Sequence, residues 1–209
     1  MDDKLLNKIL KRDAVSFDIF DTLIVRKCGN PQEVFNIVAQ KYSEQYNSQI
    51  ANFKQLRLDA EKQVRLHTTK NEVSVHDIYN VIANKVGVST AQVLMNLEKE
   101  TELEVCVANK PIVDLYNQVK NKRNTFIVSD MYLDGSFITR LLGKCGIDLP
   151  NKVYVSIDYN QTKRNRQLFR TVLKEAHLHA WNMIHIGDNF ISDYLNPKLL
   201  GMHSYWLKK

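Results

Sequence analysis

The chain has 209 residues, 44% of them hydrophobic and 25% charged, with only 7 Gly and 4 Pro. That composition fits one ordinary soluble domain, or a core domain with a sizeable insertion, and argues against long disordered linkers. The net charge of +6 comes from 29 basic and 23 acidic residues. The basic residues are scattered through helical stretches, so they read as a solvated surface mildly favouring anionic ligands, and no nucleic-acid partner is expected.

The opening stretch "MDDKLLNKILKRD" is charged throughout and lacks the apolar segment of a secretory signal. No apolar run approaches the roughly 20 residues a membrane helix needs, so no membrane partner is expected. "AVSFDIF" (14–20) is the first strand-like run and carries Asp18 near its end. Residues 31–107 differ in kind. Pro31 stands at a helix start, and roughly four amphipathic helices follow with no strand between them. Three cysteines, Cys28, Cys106 and Cys145, show no CxxC and no metal-ligand spacing, which reads as free thiols in a reducing cytoplasm.

Beyond residue 107, strand and helix patterns alternate. "TFIVSD" (125–130) ends in Ser129 and Asp130, "SFITRLLGKCG" (136–146) is helical and stops at Gly146, and "KVYVSI" (152–157) is a weaker strand. "RNRQLFRTVLKEAHL" (164–178) has an apolar helical face, "MIHIGD" (183–188) ends in Gly187 and Asp188, and "HSYWL" (203–207) completes a five-strand set. Short apolar runs without clean alternation suit strands buried on both faces. The expected fold is therefore α/β, a parallel sheet flanked by helices, with an inserted all-helical cap. The boundaries are 1–30 with 108–209 for the core and 31–107 for the cap, with hinges near Lys27–Pro31 and Val107–Pro111. Ligands of such sheets bind beyond the carboxyl ends of the strands, where the cap is expected to sit.

Each strand end is a weak signal alone, since an aspartate after an apolar run is commonly a turn or a helix cap. Their conjunction is stronger, because parallel strands bring Asp18, Ser129 and Asp188 to one edge. At these residues the chain resembles the haloacid dehalogenase superfamily, mostly phosphohydrolases with a Rossmann-like core. "SFDIFDTL" is similar to the first motif, with Asp18 as nucleophile and Thr22 four residues on. "FIVSD" is similar to the second, with Ser129 binding phosphate and Asp130 beside it in the substrate site. "TKRNRQLF" resembles the third, making Lys163 the cation, with Arg164 as the alternative. "HIGDNFISD" resembles the fourth, with Asp188 and Asp193 as the acidic metal pair. The wording of "FDIFDTL" and "VSDMYL" further resembles predicted hydrolases associated with glycosyltransferases of surface-polysaccharide synthesis, which implies fusion to or association with such a transferase.

The resemblance implies a cytoplasmic Mg²⁺-dependent hydrolase or phosphoryl-transfer enzyme acting through an aspartyl-phosphate on a small phosphorylated metabolite. Asp18 and Asp188, the main-chain carbonyl of Phe20 and the neighbouring Asp193 would serve the metal. Ser129 and Lys163 would stabilise the phosphoryl oxygens, and Asp193 would orient Lys163 or a metal-bound water.

One position departs from the pattern. The family's phosphatases carry a second aspartate two residues after the nucleophile, as acid and base, and here that residue is Phe20. Losing such a group lowers rates by about 10²–10⁴-fold. Three readings stay open: a slow phosphatase, with a good leaving group or with Asp21 as substitute acid; a non-catalytic phospholigand-binding module; or a haloacid dehalogenase. The acidic metal positions weigh against the last, which needs no metal. Elsewhere, His185 reads as a packed core histidine, Cys28 as a small packed side chain, and Phe35 and Tyr79 as core. Arg57, Lys62 and Arg65 read as solvent-facing.

Overall fold

The structure, a computed structural model, describes residues 3–208. In chain order the elements are α1 (Asp3–Leu10), β1 (Ala14–Phe17), β2 (Ile24–Arg26), α2 (Glu33–Tyr46), α3 (Phe53–His67), α4 (Val75–Val86) and α5 (Val88–Val105). There follow β3 (Cys106–Ala108), α6 (Lys110–Val119), β4 (Asn124–Ser129), α7 (Gly135–Lys144), β5 (Lys152–Val155), the single turn α8 (Ser156–Tyr159) and α9 (Gln167–Glu175). The chain ends in β6 (Met183–Gly187), a wide π-type turn over Phe190–Leu195, α10 (Asn196–Leu199) and β7 (His203–Trp206). It divides into two compact units, Met1–Val25 with Val107–Lys209, and Arg26–Cys106.

The first unit is built on a five-stranded sheet in the order β5-β4-β1-β6-β7, with every neighbouring pair parallel. β1 and β6 are buried at every position, as strands covered by helices on both faces must be. On one face Ala14, Phe126, Val128 and Met183 pack with Leu168, Phe169 and Val172 of α9. On the other, Phe17 meets the ring of Tyr116 from α6 edge-on at 5.6 Å. The chain leaves β1 toward β4 and β5 and later returns to β6 and β7 on its far side, which makes the carboxyl end of β1 a topological switch point.

β1 is shorter than the 14–20 run in the sequence. After Phe17 the backbone turns: the Ile19 carbonyl accepts from the N–H of Thr22 at 3.4 Å and of Ile24 at 2.9 Å, and Phe20 bridges to Ile24. Asp21 takes a left-handed conformation there, φ 56°, which a short polar side chain tolerates better than a β-branched one. β2 pairs with β3 in a two-stranded ladder, at the two points where the chain passes from one unit to the other. Three-residue strands carry too little alternation to be read from sequence, and neither α1 nor α6 was expected.

The second unit consists of α2 to α5. α4 opens with a capping box, the Ser74 hydroxyl accepting from the Asp77 N–H while the Asp77 carboxylate accepts from the Ser74 N–H. Val34, Phe35, Val38, Ile78, Tyr79, Ile82 and Leu94 are buried, Phe35 and Tyr79 as expected. Arg57 overturns its expectation. It is 0% exposed, donating from Nε and Nη2 to the two Glu98 oxygens at 2.8 and 2.9 Å and from Nη1 to Glu61 at 2.9 Å. Lys62 is exposed, and the largely exposed Arg65 pairs with Glu61 and Glu72. Among the described residues no helix is long and apolar enough to cross a membrane.

Candidate active site

The sheet register assembles the site. Phe17 lies abreast of Ile127 on one side and Ile186 on the other. One step further, Asp18 stands between Val128 and Gly187, and its N–H donates to the Ile186 carbonyl at 2.9 Å. Ser129 and Asp188 follow at the next step on the flanking strands. Asp18 thus shares one rim with two residues more than a hundred positions further along the chain.

Lys163 comes to this rim on the loop between α8 and α9. Asp130 holds that loop from one side, its two carboxylate oxygens accepting from the backbone N–H of Lys163 at 2.7 Å and of Arg164 at 3.3 Å. Asn196 holds it from the other, donating to the carbonyls of Lys163 at 3.1 Å and Arg164 at 2.8 Å. So anchored, the buried Lys163 ammonium donates to Asp18 Oδ1 at 2.5 Å and to Asp193 Oδ1 at 2.6 Å. Thr22 donates to Asp18 Oδ2 at 3.4 Å. Asp193 Oδ2 accepts from the Asn189 N–H at 3.0 Å. A Cβ at position 187 would overlap the Asp193 carboxylate, so the glycine of "HIGD" is what lets Asp193 lie against the strand tip.

Charge is the unusual feature here. Carboxylate oxygens of Asp18, Asp188 and Asp193 lie within 4.8 Å of one another, and Lys163 is the cation bonded among them. Burial pushes the Asp18 carboxyl up to about 7; Lys163 pulls against this, while Asp193 and Asp188 add to it. Burial acts in the same sense on Asp193, but Lys163 and His185 outweigh it and hold that carboxyl below the usual range. Lys163 is raised: burial opposes its charge, and Asp18, Asp193 and Asp130 more than compensate. Three hard oxygen donors at this spacing fit Mg²⁺, whose preference is for carboxylate and water oxygens.

The structure brings Asp18, Lys163, Asp188 and Asp193 together, with Thr22 on Asp18. Ser129 is buried at the end of β4, and its hydroxyl bonds no other described residue. Phe20 is half-buried in the turn after Asp18. Arg164 is exposed, and its side chain is not the one on Asp18. Asp130, expected in the substrate site, has its carboxylate on the backbone N–H groups of the Lys163 loop. The sequence reading also missed Asn196, Asn189 and the reach of His185. His185 is buried as expected, but its Nε2 lies 3.1 Å from Asp193 Oδ1. Its place two residues before Gly187 was the available signal, since side chains alternate along a strand.

No protein-family model matches the chain. Among curated proteins it is 37% identical over 43 residues to human (Homo sapiens) haloacid dehalogenase-like hydrolase domain-containing protein 3, a stretch covering 21% of this chain and 17% of that protein. Among solved structures it is similar to the HAD-hydrolase YfnB from Bacillus subtilis bound to magnesium, with a TM-score of 0.65 and 16% identity over 94% of this chain and 89% of that one. It is also similar to a 2-haloacid dehalogenase from Pseudomonas syringae (TM-score 0.69, 14% identity, 93% and 86% covered). A third is a HAD family enzyme from Bacteroides thetaiotaomicron in complex with magnesium and inorganic phosphate (0.61, 18%, 94% and 94%). The chain therefore has the α/β fold of the HAD hydrolases.

Proposed function

We propose that the protein is a Mg²⁺-dependent phosphohydrolase, or phosphoryl-transfer enzyme, acting on a small phosphorylated metabolite through an aspartyl-phosphate at Asp18. The observation that carries this reading is the charge at the rim: three carboxylates, two of them buried, against one buried ammonium. A dehalogenase has no use for that excess, whereas a divalent cation neutralises it. Magnesium would be held by Asp18 and Asp188 with Asp193 beside them, and would supply charge neutralisation for an incoming phosphate dianion. The magnesium-bound fold relatives from Bacillus subtilis and Bacteroides thetaiotaomicron support this reading.

The residues divide the work. An Asp18 oxygen forms a bond to phosphorus while the bond to the leaving oxygen breaks and the leaving group takes the electron pair. Lys163 offsets the repulsion between this carboxylate and the phosphoryl oxygens, and the Ser129 hydroxyl would donate to them. Water then attacks the aspartyl-phosphate and regenerates Asp18. Phe20 can neither protonate the leaving oxygen nor deprotonate that water. Slow turnover is therefore expected, with a preference for leaving groups of low basicity. The motif wording directs the substrate search to sugar phosphates and nucleotides, and we assign the helical unit to substrate selection.

The test is Mg²⁺-dependent phosphate release from an activated aryl phosphate, with Asp18→Asn at background. Equal rates from the wild type and that variant would exclude turnover here. Halide release from a 2-haloacid in excess EDTA would instead establish a dehalogenase. Phe20→Asp is expected to raise the rate, and loss of activity in Asp21→Asn would identify Asp21 as the substitute acid.

A further inference from the structure

His185 is a buried group that the proposed chemistry leaves unused, and it does not sit in a purely apolar setting. In the β1–β6 register it lies directly beside Ser16. Alternation along the two strands puts Ser16 and Asp18 on one face with His185 and Gly187. The Ser16 hydroxyl is 2.8 Å from His185 Nδ1, and His185 Nε2 is 3.1 Å from Asp193 Oδ1, the same oxygen that accepts from Lys163. Phe169 meets the imidazole edge-on at 4.8 Å and fixes its plane. The bonds close a ring: Ser16 to His185, His185 to Asp193, Asp193 to Lys163, Lys163 to Asp18, and Asp18 back to Ser16 along the backbone through Phe17.

We infer that His185 is a positioning residue, held in its Nε2–H tautomer by Ser16, which orients Asp193 and through it aims the Lys163 ammonium at Asp18. The tautomer follows from donor and acceptor chemistry. An ionised carboxylate only accepts, so the bond to Asp193 requires the proton on Nε2. In the neutral ring Nδ1 is then the acceptor, and the Ser16 hydroxyl is the donor facing it. An apolar residue at 185 would fill the space but leave Asp193 Oδ1 to Lys163 alone. Asp193 would then be held by the Asn189 N–H on Oδ2 alone, and its Oδ1 could swing and take the ammonium with it.

The functional half of this inference rests on the phosphoryl-transfer reading, so two of its three readouts need no substrate. Two-bond ¹H–¹⁵N spectra of imidazole-labelled protein should show His185 neutral with its proton on Nε2, and Ser16→Ala should give a tautomer mixture. A proton on Nδ1 in the wild type overturns the inference. In ¹⁵N-lysine protein the Lys163 ammonium should give a signal protected from exchange. That signal should be lost in His185→Leu and kept in His185→Gln, whose amide N–H can replace Nε2–H. In turnover of an aryl phosphate with Mg²⁺, His185→Leu should lower kcat by about 10- to 100-fold. KM should stay near the wild-type value, and His185→Gln should recover most of the loss. Unchanged kcat in His185→Leu, or no rescue by glutamine, contradicts the assignment. Should the leucine variant fail to fold, Ser16→Ala, which removes one oxygen, carries the kinetic test with a smaller fall in kcat as the expected result and no fall as the contrary one. A wild type that hydrolyses nothing defeats the phosphatase reading alone, and the two spectra still decide whether His185 positions Lys163.

Discussion

The two units each bury a cation among carboxylates, and the two clusters are built to opposite ends. In the helical unit the Arg57 fork meets Glu98 with two parallel bonds and Glu61 with a third. The Phe35 ring lies 4.8 Å from the guanidinium, and the Tyr79 hydroxyl donates to Glu98 at 2.6 Å. That cluster is closed, its planar donor matched to planar acceptors. At the sheet rim Lys163 is a point charge among Asp18, Asp193 and Asp188, with more negative charge than it can balance. Burial alone therefore does not mark a reactive ion pair. The distinguishing property is whether charge and hydrogen bonds are already satisfied inside the protein.

Breaking each cluster should separate the two roles. Removing one partner of a buried ion pair costs about 3–5 kcal/mol, so Arg57→Met and Lys163→Met should both unfold far more easily in metal-free buffer. Millimolar Mg²⁺ should restore a good part of the loss in Lys163→Met, where it replaces the missing positive charge, and none in Arg57→Met. Denaturant titrations with and without Mg²⁺ measure this, and equal rescue of both variants would erase the contrast.

Gly187→Ala is next in size. Its Cβ would overlap the Asp193 carboxylate, and overpacking of this kind costs about 1–3 kcal/mol. Turnover should fall further than stability does, because Asp193 is moved off Lys163. Asp130→Ala removes the acceptor for two backbone N–H groups of the Lys163 loop. It should cost about 1–2 kcal/mol and lower kcat while leaving the binding of phosphate little changed.

A further effect is expected on pH dependence. Asp18 is raised from 3.8 to about 7 in the folded, metal-free protein, so over that window the folded state binds more protons than the unfolded one. Stability from this group is full below pH 3.8 and is lost as pH rises through about 7. This contribution to the thermal melts of metal-free protein should therefore decline across the range, against the opposite contribution of His185, whose pKa burial lowers. The increase in Tm on adding Mg²⁺ should grow, because the metal takes the ionised carboxylate. Asn in place of Asp18 should flatten both trends.

Much of the rim was legible in the sequence because strand ends are local signals and a parallel sheet does the gathering. Apolar runs marked β1, β4 and β6, and the polar residues closing them pointed to one edge. What stayed hidden depended on neighbours distant in the chain. Arg57 sits on a helix in a charge-rich pattern, and Glu98, 41 residues away, joins the local Glu61 in making its burial tolerable. Asp130 follows Ser129 directly, yet the turn after β4 sends its carboxylate to the Lys163 loop. His185 reads as one more residue in a buried strand until Ser16 is placed beside it. The β2–β3 ladder escaped because three residues hold no period.

Calorimetric titration of metal-free protein with Mg²⁺ tests the central claim most directly. One ion per chain, bound by the wild type and by Glu98→Gln but not by Asp188→Asn or Asp18→Asn, is the expected result. No saturable heat from the wild type, or equal binding by all four proteins, would mean that the carboxylates at the rim do not form a metal site.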